Sequence, residues 1–249
     1  MNENRKKAPM SLDKSAKETF ILVMPAYNEE DNIETTISLW IPIINKIPGS
    51  EILVINDGSK DKTFQTIYSL SQKYSFLKVI NKQNEGHGKT ILLGYKKALA
   101  SRHEWIFQTD SDGHFAAKDF YKLWRMRKTS DFILGYRQKR KDPKYRILLT
   151  NLISIWIFIL FGKYIKDPNI PFRLIKREYL KNLLKLVPEN SFAPNIFLTI
   201  LAARDHHNLY HIPIKHRPRK KNIYTDIKIL KGAFQGFLEL IAFALTLIK

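Results

Sequence analysis

No cysteine occurs among the 249 residues. Disulfide bonds and thiolate metal sites are therefore excluded together, which fits a reducing compartment. Acidic residues are scarce beside basic ones: 23 Asp and Glu face 42 Lys and Arg, for a formal net charge of +19. Such an excess directs the chain towards anionic partners, whether nucleic acid, phosphate groups or a lipid surface, without choosing among them. No apolar run reaches the roughly 20 residues that a spanning helix requires. Two come near it: Ile147 to Gly162, flanked by Arg146 and Lys163, and Gly232 to Ile248, interrupted by Glu239. Their polar residues fall at helical spacing (Thr150, Asn151 and Ser154; Gln235, Glu239 and Thr246), so each segment reads either as a helix in a membrane interface or as a buried core helix. Nucleotide fingerprints are missing too. Gly88-Lys89-Thr90 ends like a P-loop, but Gln83 stands where the upstream glycine is required, and the first strand–helix turn contains no glycine. Residues Met1 to Lys17 lack the apolar core of a signal peptide and are expected to form a solvated, flexible tail.

What is present is a repeated alternation. Phe20 to Met24 is a short apolar run ended by Pro25, and Ile33, Ile37 and Trp40-Ile41 follow at helical spacing. Glu51 to Asp57 and Leu77 to Asn81 repeat the form, each leading into a helical pattern, and Trp105 to Thr109 is a fourth strand. Strands alternating with helices in this way predict βαβ units and a parallel sheet covered on both faces. A further strand is expected from Asp131 to Tyr136, a rigid loop from Asp167 to Arg173, and a short strand beginning at Leu209.

In such sheets ligands sit at the carboxyl ends of the strands. Four successive polar clusters fall there: Pro25 to Glu29, Asp57, Asn84 to Lys89, and Asp110 with Asp112. Two carboxylates one residue apart can share a divalent cation that keeps positions open for phosphate oxygens. Taken alone, Asp110-Ser-Asp-Gly also reads as a surface turn. An EF-hand is excluded, because the twelfth loop position from Asp110 is Tyr121. The histidines at 206, 207, 211 and 216 match no zinc spacing, and prolines break their segment.

From Phe20 to about Arg219 the chain resembles the family-2 inverting glycosyltransferases of the GT-A fold, in the branch of dolichyl-phosphate mannose synthase and the bacterial polyprenyl-phosphate sugar synthases. The residues that carry the resemblance are Val23-Met-Pro-Ala-Tyr-Asn-Glu-Glu30, Val54-Ile-Asn-Asp-Gly-Ser-Lys-Asp61, Asn84-Glu-Gly-His-Gly-Lys89, Asp110-Ser-Asp112-Gly, Asp167 with Phe172-Arg173, and Ile212-Pro-Ile with the basic cluster after it. The resemblance implies an α/β GT-A domain over residues 18–227, including an interfacial helix near 147–165, and a membrane-associated helix over 228–249. It implies that Pro25, Ala26, Tyr27, Glu29 and Asp57 hold the base and ribose of a nucleotide sugar. Lys89, near Gly86, faces the diphosphate, and Asp110 and Asp112 carry Mg²⁺ or Mn²⁺. His114 stands where the family often has glutamine and is a third candidate ligand. Arg137, Arg146, Arg173, Arg217 and Arg219 are candidate clamps for an acceptor phosphate, and Asp167 orients donor or acceptor. Asp112, Asp167 and Arg137 are the expected catalytic residues. Ile170-Pro171 departs from the family, which commonly has glycine before Phe-Arg.

The function so implied is transfer of a sugar from a UDP- or GDP-sugar to a polyprenyl or dolichyl phosphate at the cytoplasmic face of a membrane. Nucleic acid is not an expected partner, and moving or using the product falls to a separate membrane protein. Two alternatives compete. A family-2 enzyme acting on a saccharide or protein hydroxyl would need a carboxylate base. A non-catalytic basic module for nucleic acid or lipid would account for the charge, but not for carboxylates at the strand ends.

Overall fold

The computed structural model describes residues 18–138, 144–205, 209–216 and 226–248. Its first half alternates as the sequence predicts: β1 (Phe20–Ala26), α1 (Ile33–Lys46), β2 (Glu51–Asp57), α2 (Thr63–Lys73), β3 (Leu77–Lys82), α3 (His87–Leu99) and β4 (Trp105–Thr109). Then come α4 (Phe120–Met126), β5 (Phe132–Gln138), α5 (Lys144–Phe161), β6 (Phe172–Lys176), α6 (Arg177–Leu184), α7 (Pro194–Arg204), β7 (Leu209–Lys215) and α8 (Asp226–Ile248). The seven strands form one sheet in the order β3-β2-β1-β4-β6-β5-β7. All seven β1 residues are buried, as expected of a central strand with helices on both faces. On α1, Ile33, Ile37, Trp40 and Ile44 recur at one helical face and are buried, with the Trp40 ring 5.2 Å from that of Phe107 on β4.

The sheet is not parallel throughout. β6 runs antiparallel to both β4 and β5, whereas β1, β2, β3 and β4 are mutually parallel and β5 is parallel to β7. The rigid loop expected up to Arg173 therefore gives way to a strand at Phe172. A charged residue inside a run of five conceals that strand in the sequence.

α5 and α8 pack together, with the Trp156 and Phe237 rings 4.7 Å apart, and both rest on the body through buried Ile157, Leu240 and Phe243. Their polar residues do not all face water, although Asn151, Gln235 and Thr246 are exposed. Ser154 is buried and donates to the Thr150 carbonyl at 3.1 Å, while Leu148, Leu152, Ile155 and Ile159 form an exposed stripe along α5. α8 repeats the pattern with exposed Phe234, Leu238 and Leu245. Among the described residues, no helix is long and apolar enough to cross a membrane.

Arg173 corrects a further expectation. Rather than facing an acceptor phosphate, it is wholly buried in the middle of the sheet, paired in register with Gln108 and Leu134. Its guanidinium donates to the carbonyls of Ile170 (2.6 and 3.1 Å), Asn195 (2.9 Å) and Pro168 (3.3 Å), and to the Thr199 hydroxyl (3.2 Å). Burial pulls its pKa down to about 10, so it remains a cation at neutral pH. An apolar replacement strips the Ile170 carbonyl of both guanidinium donors and takes one donor each from those of Pro168 and Asn195, which keep the Thr199 hydroxyl. Arg173→Met is expected to lower stability by about 3 kcal/mol or more, read by urea unfolding. Unchanged stability with a raised acceptor KM would restore the clamp assignment.

Candidate active site

The site collects at the carboxyl ends of the parallel strands, and its loops hold one another before any ligand enters. Asn28 turns the chain out of β1 with φ +52°, a conformation asparagine tolerates. Its amide N–H donates to the Ser59 hydroxyl (3.0 Å), and its side-chain oxygen accepts from the Lys60 N–H (2.8 Å). The Glu29 N–H donates to Thr63 Oγ1 (2.8 Å), the Glu30 N–H to Asp61 (3.2 Å), and the Lys62 N–H to the Glu30 carboxylate (3.0 Å). Two of the expected nucleotide motifs are thus bound to each other. Glu29 is buried, and its carboxylate accepts from the Asn32 side chain at 2.8 Å, bracing the entry to α1 instead of opening to a ribose. Pro25 and Ala26 likewise end β1 inside the sheet, paired with Ile55 and Asn56, and the chain becomes partly exposed only at Tyr27.

Asp57 does for the third loop what Asn28 does for the first two. Its carboxylate, nearly buried, accepts from Lys82 Nζ (2.5 Å) and from the N–H groups of Glu85 (3.0 Å) and Gly86 (3.1 Å). Burial alone would raise this carboxyl, but Lys82 and the loop N–H groups outweigh it and hold its pKa below the ordinary value. Asp57 therefore shapes the loop from within and does not stand open in the crevice. Gly86 adopts φ +94°, which an L side chain rarely accepts, and α3 begins directly after it without a side-chain cap. An uncapped helix start favours an anion. Lys89 lies exposed in the same turn. Gly88 is buried because the neighbouring turn touches it: a Cβ there would stand 2.3 Å from the Ser191 carbonyl and 2.6 Å from that of Phe192.

Facing this loop, Asp110 and Asp112 leave β4. The Thr36 hydroxyl of α1 fixes their turn by donating to the Ser111 carbonyl at 3.0 Å. Asp110 Oδ1 lies 3.9 Å from His87 Nε2, and Asp112 Oδ2 lies 3.3 Å from His114 Nε2. The His114 ring in turn lies 5.6 Å from that of His216. Among the described residues, no group of three or more His, Cys, Asp or Glu is placed to hold a metal ion. The trio expected from the sequence is therefore not a closed cage, and the His114 ring lies against the Asp112 carboxylate. Two hard carboxylates without further protein ligands fit Mg²⁺ or Mn²⁺ shared with phosphate oxygens, and do not fit a cation enclosed by protein alone.

Across β6, at the end of β5, Arg137 and Asp167 form a two-pronged ion pair: Nε to Oδ2 at 2.8 Å and an Nη to Oδ1 at 2.7 Å. Both carboxylate oxygens are engaged, with Asp167 nearly buried and Arg137 slightly more open. Arg146 lies in the first turn of α5, but its side chain is outside the described residues, as are Arg217 and Arg219 entirely. The sequence reading missed Lys82, the partner of Asp57. It also missed the Ser191–Phe192 turn, which no motif marks.

A model of Glycosyl transferase family 2 matches residues 21–191, more than half of the chain. A UDP-N-acetylglucosamine–dolichyl-phosphate N-acetylglucosaminyltransferase of Methanococcus voltae is 24% identical over 240 residues, covering 87% of this chain and 90% of that protein. A dolichyl-phosphate beta-glucosyltransferase of Trichomonas vaginalis is 30% identical over 177 residues, 64% of this chain and 54% of that one. Among solved structures, glucosyl-3-phosphoglycerate synthase from Mycobacterium tuberculosis, in complex with Mn²⁺, UDP and glucosyl-3-phosphoglycerate, superposes with a TM-score of 0.73 at 16% identity, covering 91% of this chain and 80% of that one. With the α/β sheet, the strand-end carboxylates and the family match in agreement, the chain belongs to glycosyl transferase family 2 and is a glycosyltransferase.

Proposed function

We propose that this enzyme moves a sugar from a nucleoside diphosphate sugar to a polyprenyl phosphate at a membrane surface, with inversion at the anomeric carbon. The observation that carries the choice of acceptor is the Arg137–Asp167 pair. A hydroxyl acceptor needs a carboxylate to take its proton. Asp167, the acid that sequence reasoning offers, has both oxygens engaged by Arg137. A phosphate acceptor is already an anion, so it needs a positioned cation rather than a base, and Asp167 holds Arg137 in one orientation for that task. The names of the Methanococcus and Trichomonas relatives support the same acceptor class.

On this reading Asp110 and Asp112 would hold Mg²⁺ or Mn²⁺ against the donor diphosphate, with His114 orienting Asp112. The cation, when bound, supplies neutralisation of charge on the departing nucleoside diphosphate. Lys89 and the start of α3 add positive potential on the other side. A phosphate oxygen of the lipid attacks the anomeric carbon as its bond to the diphosphate breaks. Tyr27, with the loop shaped by Asp57, borders the nucleoside. The exposed apolar stripes of α5 and α8 supply the surface that rests on lipid, next to basic segments that suit anionic headgroups.

The direct test supplies UDP- and GDP-sugars with Mg²⁺ or Mn²⁺ to polyprenyl phosphate and, in parallel, to saccharide hydroxyl acceptors; turnover confined to the hydroxyls would refute the acceptor assignment. Asp112→Asn is expected to lower kcat/KM about 100-fold or more, and near-normal turnover with intact metal dependence would remove the cation from Asp112. Asp57→Ala is expected to raise the dissociation constant for the nucleoside diphosphate by about tenfold, as measured by calorimetry, because the loss of a charged hydrogen-bond acceptor releases the loop. Full-length protein is expected to pellet with anionic liposomes and to be released only in part by high salt, since buried apolar area dominates and each basic residue near the surface adds only about 1 kcal/mol. Complete release by salt would show that the apolar stripes do not enter the lipid.

A further inference from the structure

Glu239 is the only charged residue between Gly232 and Ile248, a run otherwise suited to an apolar surface. A carboxylate in such a place is costly unless donors surround it. It has three. The Phe192 N–H reaches its two oxygens at 3.0 and 3.2 Å, the Ser191 hydroxyl lies 3.4 Å from one, and the Gln235 amide donates to the other at 3.1 Å. The same turn is gripped again one helical stretch earlier, where the Phe192 ring lies so close to Gly232 that a Cβ there would stand 2.8 Å from it. On its far side, the turn's two carbonyls press on Gly88, between His87 and Lys89 at the start of α3. A continuous path of contacts thus runs from α8 through two backbone carbonyls to the loop that faces Asp110.

We propose that Glu239 is a positioning residue for the donor site: by holding the Ser191–Phe192 turn against Gly88, it makes the placement of the α3 start depend on the placement of α8. This inference rests on the proposed membrane-surface reading. When α8 settles on lipid, the turn is fixed and the diphosphate loop is held in its binding form. Donor binding is then tightest when the enzyme is already at the surface that carries its acceptor.

The test measures UDP and GDP binding to full-length protein in Mn²⁺, with and without vesicles of phosphatidylcholine and phosphatidylglycerol in equal parts, while pelleting is scored in the same samples. For the unaltered enzyme, vesicles are expected to tighten binding of the preferred nucleotide by about fivefold or more, the lower end of ordinary coupling between sites. Glu239→Ala is expected to pellet equally but to lose that tightening. Glu239→Gln, which keeps an oxygen for the Phe192 N–H, is expected to retain most of it, separating the link from loss of fold. If the unaltered enzyme pellets but binds nucleotide equally well with and without vesicles, or if Glu239→Ala keeps the full effect, the link is refuted. If the unaltered enzyme fails to pellet, the membrane reading itself falls, and this inference with it.

Discussion

A single buried cation holds the two halves of this molecule in register. Arg173 lies on the one strand that runs against its neighbours, and its donors reach two other segments of the chain. Pro168 and Ile170 belong to the loop carrying Asp167, and Asn195 and Thr199 to α7. Asn195 extends the set, accepting from the Tyr95 hydroxyl of α3 (3.1 Å) and donating to Gln108 of β4 (3.2 Å). One network therefore touches the helix that opens after Gly86, the strand that ends in the paired carboxylates, and the loop that orients Arg137. Burial pushes the Tyr95 phenol well above its ordinary range, so it stays a neutral donor and keeps its bond to Asn195 at any physiological pH. A buried polar network of this kind constrains the placement of the groups it joins. On the proposed reading, the groups it places are those that hold donor and acceptor.

The donor loops follow the same logic on a smaller scale. Residues that look in sequence like ligands for a nucleotide are first of all ligands for one another. Asn28, Glu29 and Glu30 are tied to Ser59 through Thr63, and Asp57 to Lys82 and Gly86. Preorganisation of this sort removes the ordering cost that a floppy loop would impose on each binding event.

Strands β1, β2 and β4 are legible in the sequence because each is built on a short apolar run, Phe20 to Met24, Ile52 to Ile55 and Trp105 to Phe107, and parallel strands buried on both faces demand that composition. The position of the site is legible for a related reason, since polar clusters at successive strand ends have one common location in such a sheet. β6 is hidden because its centre is an arginine, and the same residue type on a basic chain reads as one more surface cation. Arg173 shows the limit: whether a charged side chain faces ligand or protein depends on partners from distant segments, here Asn195 and Thr199 of α7. Glu239 is visible only as a break in an apolar run. What it holds, a backbone N–H at position 192, leaves no trace in residue identity.

The antiparallel insertion of β6 also acts as a ruler. Neighbouring strands stand about 4.8 Å apart, so the single strand paired between β4 and β5 sets those two strands about 10 Å apart. On the proposed reading, the donor's diphosphate is anchored at one end of this interval and the acceptor's phosphate at the other, leaving between them the width of one sugar ring. On that reading, hydrogen bonding in the sheet, rather than any side chain in the crevice, fixes how far the acceptor's anchor stands from the donor's.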